Sequence, residues 1–129
     1  MAVVLVNPNF QWTNNAAIQL IRERRILHDQ FERIPNNRMI NLWTLIANRI
    51  QAATGFVATP QQCRVKWNAL KRGFDNIRRL MTNNRRYPTN SPNNFDRALF
   101  LEMSDQFWLR TGNYLFQNYL LLGKLLTHY

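Results

Sequence analysis

The sequence predicts an all-α domain, and three of its features support this prediction. Apolar residues recur at spacings of three and four along several segments, which is typical of amphipathic helices. Asparagine, proline and glycine cluster between these segments, where turns are expected. Beyond the first few residues, the chain has no alternating apolar run of the kind that favours a strand. With 129 residues, 46% of them hydrophobic, it is long enough for one domain with a substantial core.

The segments predict a three-helix core followed by two more helices. The expected helices are 13–31, 37–53, 60–81, 95–109 and 113–127. Gly55 is suited to end the second helix, because glycine readily takes the left-handed conformation found after helix C-termini. The second and third helices then form a helix-turn-helix with a long turn. The expected domain organisation is an N-terminal arm at 1–11, a core domain at 12–109 and a hydrophobic C-terminal helical segment at 110–129.

The first helix is expected to bury one apolar face. The residues predicted on that face are Trp12, Ala16, Leu20, Leu27 and Phe31. Three arginines of the same helix are predicted to face solvent: Arg22, Arg24 and Arg25. Ile34-Pro35 then interrupts the helical pattern, so a break is expected there.

The third helix has two contrasting faces. Thr59 and Gln62 are spaced as a capping box, and Pro60 suits the first helical position. The apolar stripe consists of Cys63, Trp67, Leu70, Phe74, Ile77 and Met81. The opposite face carries Gln61, Val65, Asn68, Arg72 and Arg79, with Arg64 and Lys71 at its edges. We therefore expect a buried back and a basic, hydrogen-bonding front, although a solvated charged face would show the same pattern.

Charge is concentrated around this helix. The chain has a formal net charge of +10, and from Thr59 to Arg86 there are eight basic residues against one acid, Asp75. Such clustering indicates a nucleic acid or another polyanion as partner. An anionic membrane fits less well, because no lipid-inserting stripe accompanies the basic face.

The remaining residue types argue against several other classes of protein. Cys63 is the only cysteine, so neither an intramolecular disulfide nor a cysteine metal cluster is expected. The acids are dispersed, His28 and His128 lie far apart, and no phosphate-binding glycine loop occurs. We predict no enzyme, no cofactor, no metal and no small-molecule substrate, and we interpret His28 as a surface residue. No apolar run approaches roughly 18 residues, and the opening segment does not resemble a signal peptide, which predicts an intracellular protein without a membrane span.

Trp12, Trp43 and Trp67 fall one in each of the three core helices, where they could share a common core. Together with the basic third helix, they give the chain from Trp12 to Phe107 a resemblance to Myb/SANT-like domains of the trihelix type. The matching residues are Trp12-Thr13; Leu20, Ile21 and Arg24; Phe31; Leu42-Trp43, Ile46-Ala47; Gly55; and Gln62-Cys63, Lys66-Trp67, Leu70. The expected fourth helix is similar to the one that trihelix domains add. The family's common acidic residue after the opening Trp-Thr is replaced here by Asn14-Asn15.

The resemblance implies binding of double-stranded DNA, with the third helix in the major groove. Its base-reading positions, carried onto the residues around Trp67, are Arg64, Val65, Asn68 and Ala69. Arginine can recognise guanine, asparagine adenine, and valine the methyl group of thymine. The residues that suit phosphates are Gln61, Lys71, Arg72, Arg78, Arg79, Arg85 and Arg86. A nuclear location and a role in transcription regulation, or in another DNA-templated process, are the corresponding expectations.

Two other functions remain open on the sequence. One is a SANT-type adaptor that binds proteins in a chromatin or DNA-processing complex, and the other is a nonspecific nucleic-acid-binding protein. The last helix adds a candidate oligomerisation element, because apolar residues cover most of its circumference. The residues expected at a homodimer or partner interface are Leu115, Tyr119, Leu122 and Leu126.

Overall fold

Five α-helices make up the fold in a computed structural model that describes residues 10–84 and 97–110. They are α1 (Asn14–Ile26), α2 (His28–Arg33), α3 (Met39–Thr54), α4 (Pro60–Asn84) and α5 (Arg97–Glu102). Short 3₁₀ turns occupy Asn36–Arg38 and Phe107–Leu109. No strand occurs among the described residues, so the predicted all-α class is confirmed. The N-terminal arm up to residue 9, Arg85, Arg86 and the predicted C-terminal helix lie outside them.

Local interactions begin α1 and α4, and end α3, close to where the sequence predicts. The Thr13 hydroxyl accepts a hydrogen bond from the Ala16 backbone N–H at 3.1 Å and caps α1. Gly55 has a φ of 76°, the left-handed conformation that closes α3. The Gln62 N–H donates to the Thr59 hydroxyl at 3.0 Å, while the Thr59 N–H donates to the Gln62 side chain at 2.9 Å. This reciprocal pair is the capping box of α4.

The core lies between α1, α3 and α4. α1 packs against α3 and α5, and α3 packs against α4 in the helix-turn-helix arrangement. The apolar stripe of α4 faces this core: Cys63, Trp67, Leu70, Phe74 and Ile77 are all buried, and Met81 is partly buried. The rotation of α4 about its axis is therefore set by packing, and its basic face points to solvent.

The first helix differs from the prediction in two ways. The helix expected at 13–31 is interrupted at Leu27, so that α1 and α2 are separate segments. Arg24, predicted to face solvent, is buried, with an exposed fraction of 9%. The physical reason is visible in the spacing: Arg24 lies four residues after Leu20 and seven before Phe31, which puts it on the buried stripe itself.

His28, interpreted from the sequence as a surface residue, is buried at the start of α2. Its Nε2 lies 2.9 Å from the Arg110 carbonyl and 3.2 Å from a carboxylate oxygen of Glu32. Since both neighbours can only accept, Nε2 carries the hydrogen, and Nδ1 then accepts from the Arg24 guanidinium at 3.0 Å. The imidazole thus joins α1, α2 and the chain that follows α5.

The fourth helix is shorter than predicted. Instead of running over 95–109, α5 ends at Glu102, and Gln106 has a positive φ of 49° that redirects the chain. After this turn, Phe107 and Trp108 both contact the ring of Trp67, at centroid distances of 5.4 and 5.6 Å. A residue with positive φ does not continue a right-handed helix, so the chain after Gln106 leaves the direction of α5.

The three core tryptophans make separate aromatic contacts. Trp43 and Trp67 are buried, whereas Trp12 is only partly buried. The Trp43 ring lies 4.9 Å from that of Phe31, and the Trp12 ring lies 4.9 Å from that of Phe56. The tryptophans thus anchor neighbouring parts of the core, with Trp12 at its edge.

Candidate nucleic-acid interface

The exposed face of α4 presents the four predicted base-reading residues. Arg64 and Val65 are exposed, and Asn68 and Ala69 are partly buried one turn further along the helix. At a rise of about 1.5 Å per residue, these positions span about 7.5 Å, close to two base-pair steps of B-DNA. Arg64 donates from Nε to the side-chain oxygen of Gln61 at 3.2 Å. Gln61, predicted to contact phosphate, therefore orients Arg64 in the free protein.

The predicted phosphate-binding residues have different surroundings. Arg72 is exposed. Arg78 and Arg79 both pair with Asp75, each at 2.9 Å, and the hydrogen bond from Arg78 is the main cause that holds the pKa of Asp75 below its ordinary value. These two cations are thus partly neutralised within α4. Arg85 and Arg86 lie outside the described residues.

Among the described residues predicted to bind phosphate, Lys71 lies closest to the core. It is partly buried, and its ammonium group lies 5.8 Å from the centroid of the Trp67 ring. Burial lowers the pKa of Lys71, and the positive charges of Arg24 and Arg72 lower it further. Lys71 therefore stands in a locally positive environment.

Several surface grooves flank the exposed face of α4, and two of them lie beside the predicted base-reading residues. One, of about 320 Å³, is mostly apolar and is lined by Phe10, Trp12, Gln61, Gln62, Val65, Lys66 and Ala69. The other, of about 370 Å³, lies between α2, the start of α3 and α4; we call it the α2–α4 groove. Arg24, His28 and Glu32 line this second groove beside Asn68 and Lys71. Sequence reasoning did not include these three in the site, although the helical spacing of Arg24 was a usable signal.

The positive charge of this surface exceeds the negative charge near it, although Glu32 of α2 also lines the α2–α4 groove. Between Thr59 and Arg86, Asp75 is the single acidic residue. The arrangement is chemically suited to an extended polyanion, with side chains able to hydrogen-bond base edges in the middle and cations around them. Among the helices that the structure describes, none has the length and apolarity that crossing a membrane requires.

Comparison with known protein families agrees with this geometry. The family model described as Myb/SANT-like DNA-binding domain matches residues 9–108, which include all five helices. Comparison with curated proteins and with solved structures gave no match.

Proposed function

The chain belongs to the Myb/SANT-like DNA-binding domain family, and we propose that it binds double-stranded DNA with a sequence preference by inserting α4 into the major groove. The family is a DNA-binding, non-catalytic one. The trihelix subtype, a nuclear location and a role in transcription regulation or another DNA-templated process are parts of the same proposal.

The observation that carries this proposal is the two-sided character of α4. Its apolar stripe is fixed in the core from Cys63 to Ile77, so the opposite face is held outward in one orientation. A rigid helix surface of this kind reduces the conformational entropy lost on binding. That face combines exposed Arg64 and Val65 with Asn68, residue types that read base edges.

The proposal divides the surface into two roles. The bases are contacted by Arg64, Val65, Asn68 and Ala69. The phosphates on either side of the DNA major groove are contacted by Lys71 and Arg72. Gln61 positions Arg64, and Arg78 and Arg79 contribute to phosphate binding by exchanging Asp75 for the DNA backbone. Arg85 and Arg86 would extend the phosphate contacts beyond α4.

The test separates base contacts from phosphate contacts. Asn68→Ala and Arg64→Ala should each weaken binding to a selected duplex by about 1–3 kcal/mol and relax the base preference. Arg72→Ala should weaken binding to all sequences alike and reduce the salt slope by about one. Arg97→Gln, which removes an exposed charge on α5, is the matched control and should leave the base preference unchanged.

Selection from a random duplex pool at several salt concentrations gives the readout. Enrichment of one motif that Asn68→Ala loses would support base reading by α4. Steep salt dependence without a motif would instead indicate nonspecific nucleic-acid binding, and a chain that binds no duplex would favour the SANT-type adaptor. An unchanged motif and affinity in Asn68→Ala would contradict the assigned face.

A further inference from the structure

The α2–α4 groove has a buried cation at its floor. Residue Arg24 is nine-tenths buried, and the central carbon of its guanidinium lies 3.9 Å from the centroid of the Phe31 ring and 5.6 Å from that of Trp67. Aromatic faces favour a cation, but they do not satisfy its hydrogen-bond donors. The position of Arg24 is thus fixed by packing, which does not by itself pair its hydrogen-bond donors.

The donors of Arg24 are incompletely paired. Nη1 donates to His28 Nδ1 at 3.0 Å, whereas the buried Nε has no hydrogen-bond partner among the described residues. Glu32 favours the charged form of Arg24 electrostatically, but its carboxylate lies against His28 Nε2. Burial lowers the pKa of Arg24 to about 10, so the guanidinium remains protonated at neutral pH. A buried charge with an unmet donor is costly, and an anion would offset that cost.

A second cation stands at the rim of the same groove. The Lys71 ammonium group and the Arg24 guanidinium both approach the Trp67 ring, and both residues line the groove. Their mutual repulsion contributes to the lowered pKa of Lys71. Binding an anion between them would relieve that repulsion.

We propose that the α2–α4 groove holds one phosphate of the DNA backbone, bound by Arg24 from the floor and by Lys71 from the rim. This inference rests on the proposed DNA-binding function. A phosphodiester has acceptor oxygens, one negative charge and no hydrogen-bond donor. It therefore matches a guanidinium and an ammonium group, both of which only donate. Because Asn68 lines the same groove, this phosphate lies beside the base-reading residues and sets the register of α4 on the duplex.

The experiment pairs protein variants with DNA that lacks single charges. Neutral methylphosphonates replace the backbone phosphates of a bound duplex one at a time, and affinity is measured for the wild-type chain, Arg24→Gln, Lys71→Gln and the control Arg97→Gln. We expect one phosphate whose replacement weakens wild-type binding about tenfold. The same replacement should have a clearly smaller effect in Arg24→Gln and in Lys71→Gln, because one of the two cations is already missing there, and its full effect in Arg97→Gln.

A merely structural role for Arg24 predicts a different result. Arg24→Gln would then weaken binding to every duplex, and each methylphosphonate would retain its full effect, which would overturn the proposal. Circular dichroism shows whether the variants fold. If Arg24→Gln does not fold, the comparison of Lys71→Gln with the wild-type chain on the same set of duplexes tests the proposal. Retention of the full effect at every position in Lys71→Gln would also overturn the inference, although duplex binding itself would persist. A wild-type chain that binds no duplex would contradict both proposals.

Discussion

Trp67 joins the core to the proposed interface through one side chain. Its ring is buried, stacks on Phe107 and meets Trp108 edge to face. The charged groups of Arg24 and Lys71 approach the same ring. Loss of this indole would therefore remove packing from the core and also the surface that positions both cations.

Replacing Trp67 should be among the most destabilising changes in the chain. We expect Trp67→Ala to lower the free energy of unfolding by about 3–5 kcal/mol, because it leaves a large cavity beneath α4. Trp12→Ala is the control and should cost clearly less, since Trp12 is partly buried at the core edge beside Phe56. Urea denaturation measures both, and equal losses would contradict this ranking.

At the scale of elements, ionic contacts fasten α5 to α1. Arg22 and Arg25 pair with Glu102 at 3.1 and 3.0 Å, and Arg25 also pairs with Asp105 at 3.0 Å. The Arg25 guanidinium donates as well to the Glu102 backbone carbonyl at the C-terminal end of α5. A cation at this end of a helix donates to free carbonyl groups and interacts favourably with the helix dipole.

This network predicts an acid-sensitive contribution to stability. Partial burial raises the pKa of Glu102, but the hydrogen bonds and charges of Arg22 and Arg25 outweigh it, so the pKa lies below its ordinary value of 4.5. The stabilisation is therefore present above pH 4.5 and is lost as the pH falls through the lower, folded-state pKa.

Glu102→Gln should accordingly lower the free energy of unfolding by about 1 kcal/mol at neutral pH and leave a smaller difference in acid. Thermal or urea unfolding across pH 3 to 7, roughly the range in which a carboxyl titrates, measures the effect. In an Arg22→Gln, Arg25→Gln background the same substitution should have little effect. An undiminished loss in that background would show that the ion pairs are not its cause.

In the molecule as a whole, the basic residues are most concentrated along α4. Elsewhere in the described residues several acids pair with arginines, as in Glu23 with Arg49 and Glu102 with Arg25. Along α4, Asp75 alone opposes the basic residues. The resulting asymmetry would orient the domain as it approaches DNA, and it makes association sensitive to salt.

The hydrophobic helix expected at 113–127, outside the described residues, leads us to predict a homodimer. Apolar residues there exceed the stripe of about 100° that a helix on the surface of a monomer needs. Light scattering at tens of micromolar, roughly the range of weak self-association, should give a dimer for the full chain and a monomer for a chain ending at Arg110. A monomeric full chain would exclude the homodimer, and a dimer that survives truncation would move the interface elsewhere.

Four features could be predicted from the sequence: the helical class, the capping box of α4, the end of α3 at Gly55 and the side of α4 that is buried. These features depend on spacing and on contacts within a few residues, which a sequence displays directly. The residue types on the outer face of α4 were predictable for the same reason.

The groups that surround Arg24 and His28, and the end of α5 at Glu102, depend on tertiary packing. Arg24 is buried, as its helical spacing indicates and in spite of its charge, because aromatic rings from α2 and α4 surround it. His28 is held by a carbonyl 82 residues further along the chain, and Arg25 reaches α5 across 77 residues. Such partners meet only when the helices pack, since neither periodicity nor local propensity specifies which distant groups will satisfy a buried charge.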